Sequence, residues 1–284
     1  MKIQHFYDKE TATFTYVVID ETSKKCAIID SVMDYNMHSG KTSTSGADAL
    51  IKYVRENDLT LEWILETHIH ADHLTAASYL KDQLGGKIAI GENIKEVLKF
   101  WVPLFNIAKD TPIDGSQFDC LLKDGEKFSL GNLEIKAIHT AGHTPACTSY
   151  LIGDVIFVGD TIFMPKLGTA RTDFPGGSAK MLYNSIQKIL SLPENTKIFI
   201  GHDYPENGKE AEFCCSVGQQ KQNNILVNDK ISEAEYVETR NKRDVGKAVP
   251  NLLFPALQIN LRAGKFGLAE ENGIHYVKIP LNKI

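Results

Sequence analysis

The run Thr67-His68-Ile69-His70-Ala71-Asp72-His73 puts four side chains that can ligate a metal within six positions, directly after the apolar segment Leu61–Leu65. Imidazole and carboxylate without thiolate suit borderline transition metals such as zinc, iron and manganese. In an extended segment His68 and His70 share a face, because strand side chains alternate. Asp72 and His73 are then expected in the tight turn that opens a helix running toward Leu80 and ending at Gly85-Gly86. Three more candidates follow apolar segments: His143 in Thr140–Pro145, Asp160 after Phe157-Val158, and His202 after Ile198–Ile200. A glycine precedes each of them, and a residue without Cβ permits the turn and close packing that bring a strand-end side chain onto a common centre. A lone strand-end His or Asp is usually structural. Sites that share this context point to one metal centre.

The elements that must position these residues interleave. Thr13–Ile19 and Cys26–Asp30 read as strands around a turn at Asp20–Lys25, and Ser39–Gly46 as a polar, mobile connector. Leu50, Tyr53 and Val54 recur at helical spacing from Ala47, ending before Leu59. A strand, the histidine run and its helix follow, then a short strand Lys87–Ile90 and a helix around Ile94–Leu98. Leu133–His139, Thr148–Ile152 and Val155–Val158 read as strands, the last two joined by a Gly153-Asp154 hairpin turn. Ser178–Leu190 reads as a helix and Lys197–Ile200 as a strand. Beyond His202 the chain is polar and expected to be helical through about Arg243. It then becomes apolar at Leu252–Ile259 and Tyr276–Ile279. Helices outside and sheets inside are the expected layers. One domain over 1–284 is expected, its C-terminal extension beginning at about 205.

Composition bounds the function. The 284 residues are 43% hydrophobic and 24% charged, as in ordinary globular proteins. A net charge of −5 argues against a nucleic-acid partner, which calls for a basic face. Neither a secretory h-region nor a membrane-length apolar run is present in the sequence. Five cysteines with no knuckle or paired spacing suggest a reduced, cytoplasmic setting.

The succession His-x-His-x-Asp-His, Gly-His-Thr, Gly-Asp and Gly-His-Asp, spanning roughly Phe14 to Tyr204, resembles the metallo-β-lactamase superfamily. That resemblance implies an αββα sandwich: two mixed β-sheets flanked by helices, with a metal site at one edge. It leaves the substrate open, because the superfamily hosts many reactions. The segment Gly168-Thr169-Ala170-Arg171-Thr172-Asp173-Phe174-Pro175 is similar to the Gly-x-x-Arg-x-Asp-Phe signature of glutathione-dependent persulfide dioxygenases. So are Thr67–His73, His143-Thr144-Pro145 and His202-Asp203-Tyr204, and Gly115–Asp119 resembles the bacterial branch.

This second resemblance implies one ferrous iron per chain, held by His68, His143 and Asp160. It further implies oxidation of glutathione persulfide by O2 to sulfite and glutathione in sulfide detoxification. His70, Asp72, His73 and His202 would then orient the ligands by hydrogen bonds. The same residues are also the full ligand set of a two-zinc, glyoxalase II-like hydrolase of glutathione thioesters. There His68, His70 and His143 hold one metal, Asp72, His73 and His202 the other, and Asp160 bridges. A metal or sulfur sensor that binds without turnover is the non-enzymatic alternative.

For the glutathione carrier, Arg171 is the candidate carboxylate ligand, since a guanidinium binds carboxylate bidentately. Thr144 and Tyr204 could donate hydroxyl hydrogen bonds. Arg240, Lys242 and Arg243 form a basic cluster, expected to be a solvated charge run for the most part. Cys147 is expected to be an inert core thiol, Asp30 a residue behind the ligands, and Trp63 and Trp101 core. A homodimer is a family-level expectation.

Overall fold

Strand β2 (Thr13–Asp20) is buried at every residue, and alternation explains how. Its odd positions Val17 and Ile19 face one apolar layer, while Phe14, Tyr16 and Val18 face another. A strand buried on both faces must lie inside a layered structure. The computed structural model describes residues 1–206 and 209–283.

The first half runs β1 (Lys2–Asp8), β2, β3 (Lys25–Ile29), β4 (Val32–Asn36), β5 (Lys41–Ser43), α1 (Ser45–Glu56), β6 (Thr60–Leu65), β7 (Leu74–Thr75), α2 (Ala77–Leu84), β8 (Lys87–Gly91), α3 (Ile94–Phe105) and β9 (Cys120–Leu122). The second runs β10 (Lys127–Leu130), β11 (Leu133–His139), β12 (Thr148–Ile152), β13 (Val155–Phe157), α4 (Ala179–Leu190), β14 (Lys197–Phe199), β15 (Cys214–Ser216), α5 (Val217–Asn223), α6 (Glu233–Asp244) and α7 (Leu253–Asn260).

Two six-stranded mixed sheets result, ordered β1-β2-β3-β6-β8-β9 and β10-β11-β12-β13-β14-β15, with a small sheet β5-β4-β7 beside them. The parallel pairs β3–β6 and β13–β14 need crossovers, which α1 and α4 supply. Three apolar layers hold the assembly. Tyr16, Ile29, Leu65, Tyr150 and Phe157 fill the space between the sheets. Helices α1, α2, α3 and α7 cover the outer face of the first sheet, and α4, α5 and α6 that of the second. This is the αββα sandwich the resemblance implies. No helix among the described residues is long and apolar enough to cross a membrane.

Several sequence expectations are corrected. The connector Ser39–Gly46 is largely ordered: Lys41–Ser43 pairs with β4, and α1 begins at Ser45. Helix α3 continues to Phe105, because its apolar stripe persists through Trp101, Val102 and Phe105. A strand, β15, lies in the stretch expected to be helical, where Ile198 pairs with Cys215. Tyr276–Ile279 forms no regular element. Most relevant to the site, β6 stops at Leu65 and α2 opens only at Ala77, so the histidine run is irregular backbone and not a strand end.

Candidate metal centre

The histidine run is held in place by bonds its own sequence does not announce. The Glu66 N–H donates to the Ala89 carbonyl, and the Thr67 carbonyl accepts from the Thr148 N–H, so the chain leaves one sheet and touches the other. From α7, Asn260 Nδ2 donates to the carbonyls of His70 and His73 at 2.8 Å each, and its Oδ1 accepts from Thr75 N. Three otherwise orphaned backbone groups are thereby satisfied by one buried amide.

His143, Asp160 and His202 reach the same place from the second sheet. Gly142 and Gly159 have φ of +149° and +47°. A Cβ on Gly142 would lie 2.3 Å from Leu182 Cα, and one on Gly159 would lie 2.2 Å from Thr67 Oγ1. Glycine before the candidate ligand is therefore a steric requirement at both positions.

His68, His143 and Asp160 come together, with one candidate ligand atom from each lying within 4.8 Å of the others. His70, Asp72 and His73 form a second such group. His202 Nε2 links the two, 3.2 Å from Asp72 Oδ2 and 3.3 Å from Asp160 Oδ1.

Each ring is anchored through one nitrogen. His143 Nδ1 donates to the Arg171 carbonyl at 2.8 Å, His202 Nδ1 to the Ala12 carbonyl at 3.1 Å, and His73 Nδ1 to the Leu74 carbonyl at 3.2 Å. His68 Nδ1 lies 3.0 Å from Thr67 Oγ1, whose proton goes to Asp30 Oδ2. His70 is turned the other way, with Nε2 lying 3.1 Å from Asp30 Oδ1 and 3.4 Å from Glu66 Oε2. Thr75 donates its hydroxyl to Glu66.

The unanchored atoms test whether a metal fits. His68 Nε2, His70 Nδ1, His73 Nε2 and Asp160 Oδ1 are buried without a hydrogen-bond partner. Buried polar atoms are normally paired, so orphans gathered in one place fit the donor set of a bound cation. Charge balance agrees for His68, His73 and Asp72, and runs against a lone pair on His70. Burial, then the neighbouring imidazoles, push the His68 ring well below its usual value, and burial with His70 brings His73 to about 4, so both present neutral lone pairs. Burial opposes ionisation of Asp72, but His202 and His73 outweigh it and hold the carboxyl at about 2. Burial also pulls His70 down, yet Asp30 and Glu66 overcome this and hold it well above the ordinary value. The His/Asp cluster is thus a metal-binding site.

A cleft of about 360 Å³ opens onto it, lined among others by Asp72, His143, Asp160, Phe174, His202 and Tyr204. Tyr204 is 60% exposed and its ring is near-parallel to that of His202. Arg171 lines the cleft too, but its guanidinium is occupied. It bonds bidentately to Asp173 and donates to the Ala248 carbonyl. Thr144 does not line this cleft, since its hydroxyl meets Cys147 Sγ at 3.1 Å and accepts from Ala146 N. Cys147 is buried, which pushes its thiol up to about 12, consistent with an inert core thiol. Asp30 stands behind His68 and His70, as expected, and Trp101 is in the core.

Sequence reasoning missed Glu66, the Thr67 hydroxyl and Asn260. The one available signal for Asn260 was an amide on an apolar helix.

Residues 9–202 match the family model described as the metallo-beta-lactamase superfamily. The chain is 49% identical to "Glyoxylase B2" of Dictyostelium discoideum, over 99% of this chain and 97% of that protein. It is 27% identical to "Persulfide dioxygenase ETHE1, mitochondrial" of Bos taurus, over 92% of this chain and 88% of the relative. The crystal structure of ETHE1 from Myxococcus xanthus superposes with a TM-score of 0.74 at 27% identity, covering 93% of this chain and all of that one.

Proposed function

We propose, from the premise that this chain belongs to the metallo-β-lactamase superfamily, that it is a mononuclear iron dioxygenase of glutathione persulfide. One observation carries the reading. His68, His143 and Asp160 converge as two imidazoles and one carboxylate. Two histidines and a carboxylate on one face of a ferrous ion leave sites open for substrate and O2, the arrangement of non-haem oxygenases. Similarity to persulfide dioxygenases along nine-tenths of the chain supports the same reading.

A bound iron would supply the redox chemistry. The chain's own residues would do the rest. Asp30, through the Thr67 hydroxyl, keeps the proton on His68 Nδ1 and leaves Nε2 free. The Arg171 carbonyl does the same for His143. Phe163, Leu167 and Phe174 line the cleft with apolar surface, limiting water around the sulfur. Tyr204 offers a hydroxyl at the cleft wall. The reaction balances with water: glutathione persulfide, O2 and H2O give glutathione and sulfite with release of protons. The segment from about 205 onward belongs to the same unit in this reading, since α6 lines the cleft and α7 holds the histidine loop.

A second reading has its own support. The group His70, Asp72 and His73, with His202 beside Asp72, could hold a second ion. The relative named as a glyoxylase is nearly full-length. Two metals would favour glyoxalase II-like hydrolysis of a glutathione thioester.

The deciding experiment is oxygen uptake by anaerobically purified, iron-loaded protein given glutathione persulfide, with metal content measured on the same sample. Stoichiometric O2 uptake and sulfite formation with one iron per chain is the expected result. Thiol release from a glutathione thioester without O2 uptake, and two metals per chain, would replace it with the hydrolase.

A further inference from the structure

A second, much smaller cavity lies beside the cleft. It measures about 20 Å³, and Ala71, His143 and Phe174 belong to the walls of both. Protein interiors are packed as densely as organic crystals and leave few such voids in a domain. One set against a candidate metal ligand is therefore a feature to be explained.

The walls of this pocket are apolar. Helix α3 contributes Val97 and Trp101, one turn apart on the same face, and α7 contributes Leu257. All three are buried. Pro145 and Pro175 form another side, and prolines bring no N–H donor. The turn after Pro175 is pressed onto Pro145, since a Cβ on Gly176 would lie 2.5 Å from Pro145 Cγ.

The polar side chains in the wall are mostly committed elsewhere. The Thr144 hydroxyl meets Cys147 Sγ and the Ala146 N–H. His143 Nδ1 is held by the Arg171 carbonyl, and its Nε2 faces Asp160, 3.8 Å from Oδ2. Among the lining side chains this leaves the Trp101 indole N–H as a polar partner, whereas a buried water needs about two to four. The volume suffices for one small molecule, since about one probe sphere of roughly 10–15 Å³ holds a water. Size admits a diatomic or a water, and polarity favours the apolar one.

We propose that this pocket is a docking site for dioxygen, from which O2 passes Ala71 and His143 to the metal centre while the thiol substrate fills the cleft. The inference rests on the dioxygenase reading above. The two substrates differ in size and charge. Glutathione persulfide is long and ionic, so it has to use the open cleft of about 360 Å³ and then obstructs it. Dioxygen is small and uncharged, and a dry pocket behind the His143 ring suits it. Phe174 stands edge-on to that ring, with centroids 5.3 Å apart, and Ala71 adds only a methyl group, so the partition is one side chain thick.

The test uses crystals of the iron-loaded full-length protein, grown without O2 and pressurised with krypton, which is apolar, inert and visible by anomalous scattering. Krypton should occupy the pocket beside His143 in the parent and in Val97→Ala. It should be excluded from Val97→Leu and Val97→Ile, each of which adds one carbon to the wall. Steady-state kinetics at varied O2 should then show a several-fold rise in the KM for O2 in both filled variants. Their bound iron and their KM for glutathione persulfide should match the parent, and Val97→Ala should keep the parent's KM for O2. Circular dichroism confirms folding, and two filling substitutions guard against one that does not fold. A parent pocket that takes no krypton, or that holds an ordered water instead, overturns the proposal. Filled variants that exclude krypton yet keep the parent's KM for O2 overturn it too, while their O2 uptake leaves the dioxygenase in place. Krypton in a protein that cleaves a glutathione thioester and consumes no O2 would remove the dioxygenase reading, and the O2 assignment with it.

Discussion

Asp30→Asn isolates the hydrogen-bond chain behind His68. Asp30 has a φ of +52°, and asparagine tolerates that left-handed conformation, so the backbone should be preserved. The carboxylate accepts from Thr67 N and Thr67 Oγ1, at 2.8 Å each, and from His70 Nε2 at 3.1 Å. No orientation of an amide can replace it. With the amide oxygen toward Thr67 N and His70, the NH2 faces the Thr67 hydroxyl, whose proton then loses its acceptor. With the amide flipped, NH2 opposes two N–H donors. One buried unsatisfied group costs about 1–3 kcal/mol. At about 1.4 kcal/mol per decade this is roughly a 5- to 150-fold loss in metal affinity, which brackets the effect usual for partners behind a metal ligand. Chelator competition under anaerobic conditions, with circular dichroism to confirm folding, measures it. A folded Asp30→Asn protein that keeps the parent's metal affinity would show that the Asp30–Thr67–His68 chain does not set the imidazole's ligand strength.

Two other substitutions probe the cleft wall. Arg171→Ala should retain its metal, because His143 is anchored by the Arg171 backbone carbonyl and not by the guanidinium. If the proposed reading holds, its KM for glutathione persulfide should rise several-fold as the ties to Asp173 and Ala248 are lost, and steady-state kinetics with metal analysis on the same sample checks both; metal loss would show that those ties hold the carbonyl in place. Asp244→Ala leaves Arg240 buried without its carboxylate, a change that costs about 3–5 kcal/mol, and at roughly 2–4 °C per kcal/mol the melting temperature should fall by about 10 °C. A thermal scan showing a shift of only a degree or two would mean that α6 is not held to the cleft by this pair.

The candidate ligands were legible because their chemistry is local and carries its own spacing: a His-x-His-x-Asp-His run, and three apolar strands each followed by glycine and a candidate ligand. The parallel pairing that α1 and α4 bridge was expected only through the mixed sheets the resemblance implies, since the interleaved elements did not themselves separate parallel from antiparallel connections. What the sequence withheld was the geometry of support. The extended segment expected at His68 is irregular because Asn260, 190 residues away from His70, replaces a sheet partner with side-chain bonds to the loop's carbonyls. Glu66 follows the apolar segment Leu61–Leu65 with no local signal, and only the fold shows its carboxylate turned inward against His70. Arg171 stood out by its signature, yet the contact that links it to the metal centre is made by its carbonyl, an atom common to every residue. Strand β15 escaped notice because it is three residues long and pairs only at a sheet edge.

The position of the centre on the seam between the sheets has a mechanical consequence. His68, His70, Asp72 and His73 descend from the first sheet, whereas His143, Asp160 and His202 come from the second. Nearby, protein bonds across the seam include Phe14 N to the Gly201 carbonyl and the bridge of Thr13 with His202. An ion bound by both sets acts as a clasp between two halves of a sandwich. Its binding energy then resists opening of that edge, by about 2.7 kcal/mol when free metal stands at a hundred times its dissociation constant. Metal supply would accordingly govern how often the edge opens, and so how readily the chain is attacked there by proteases.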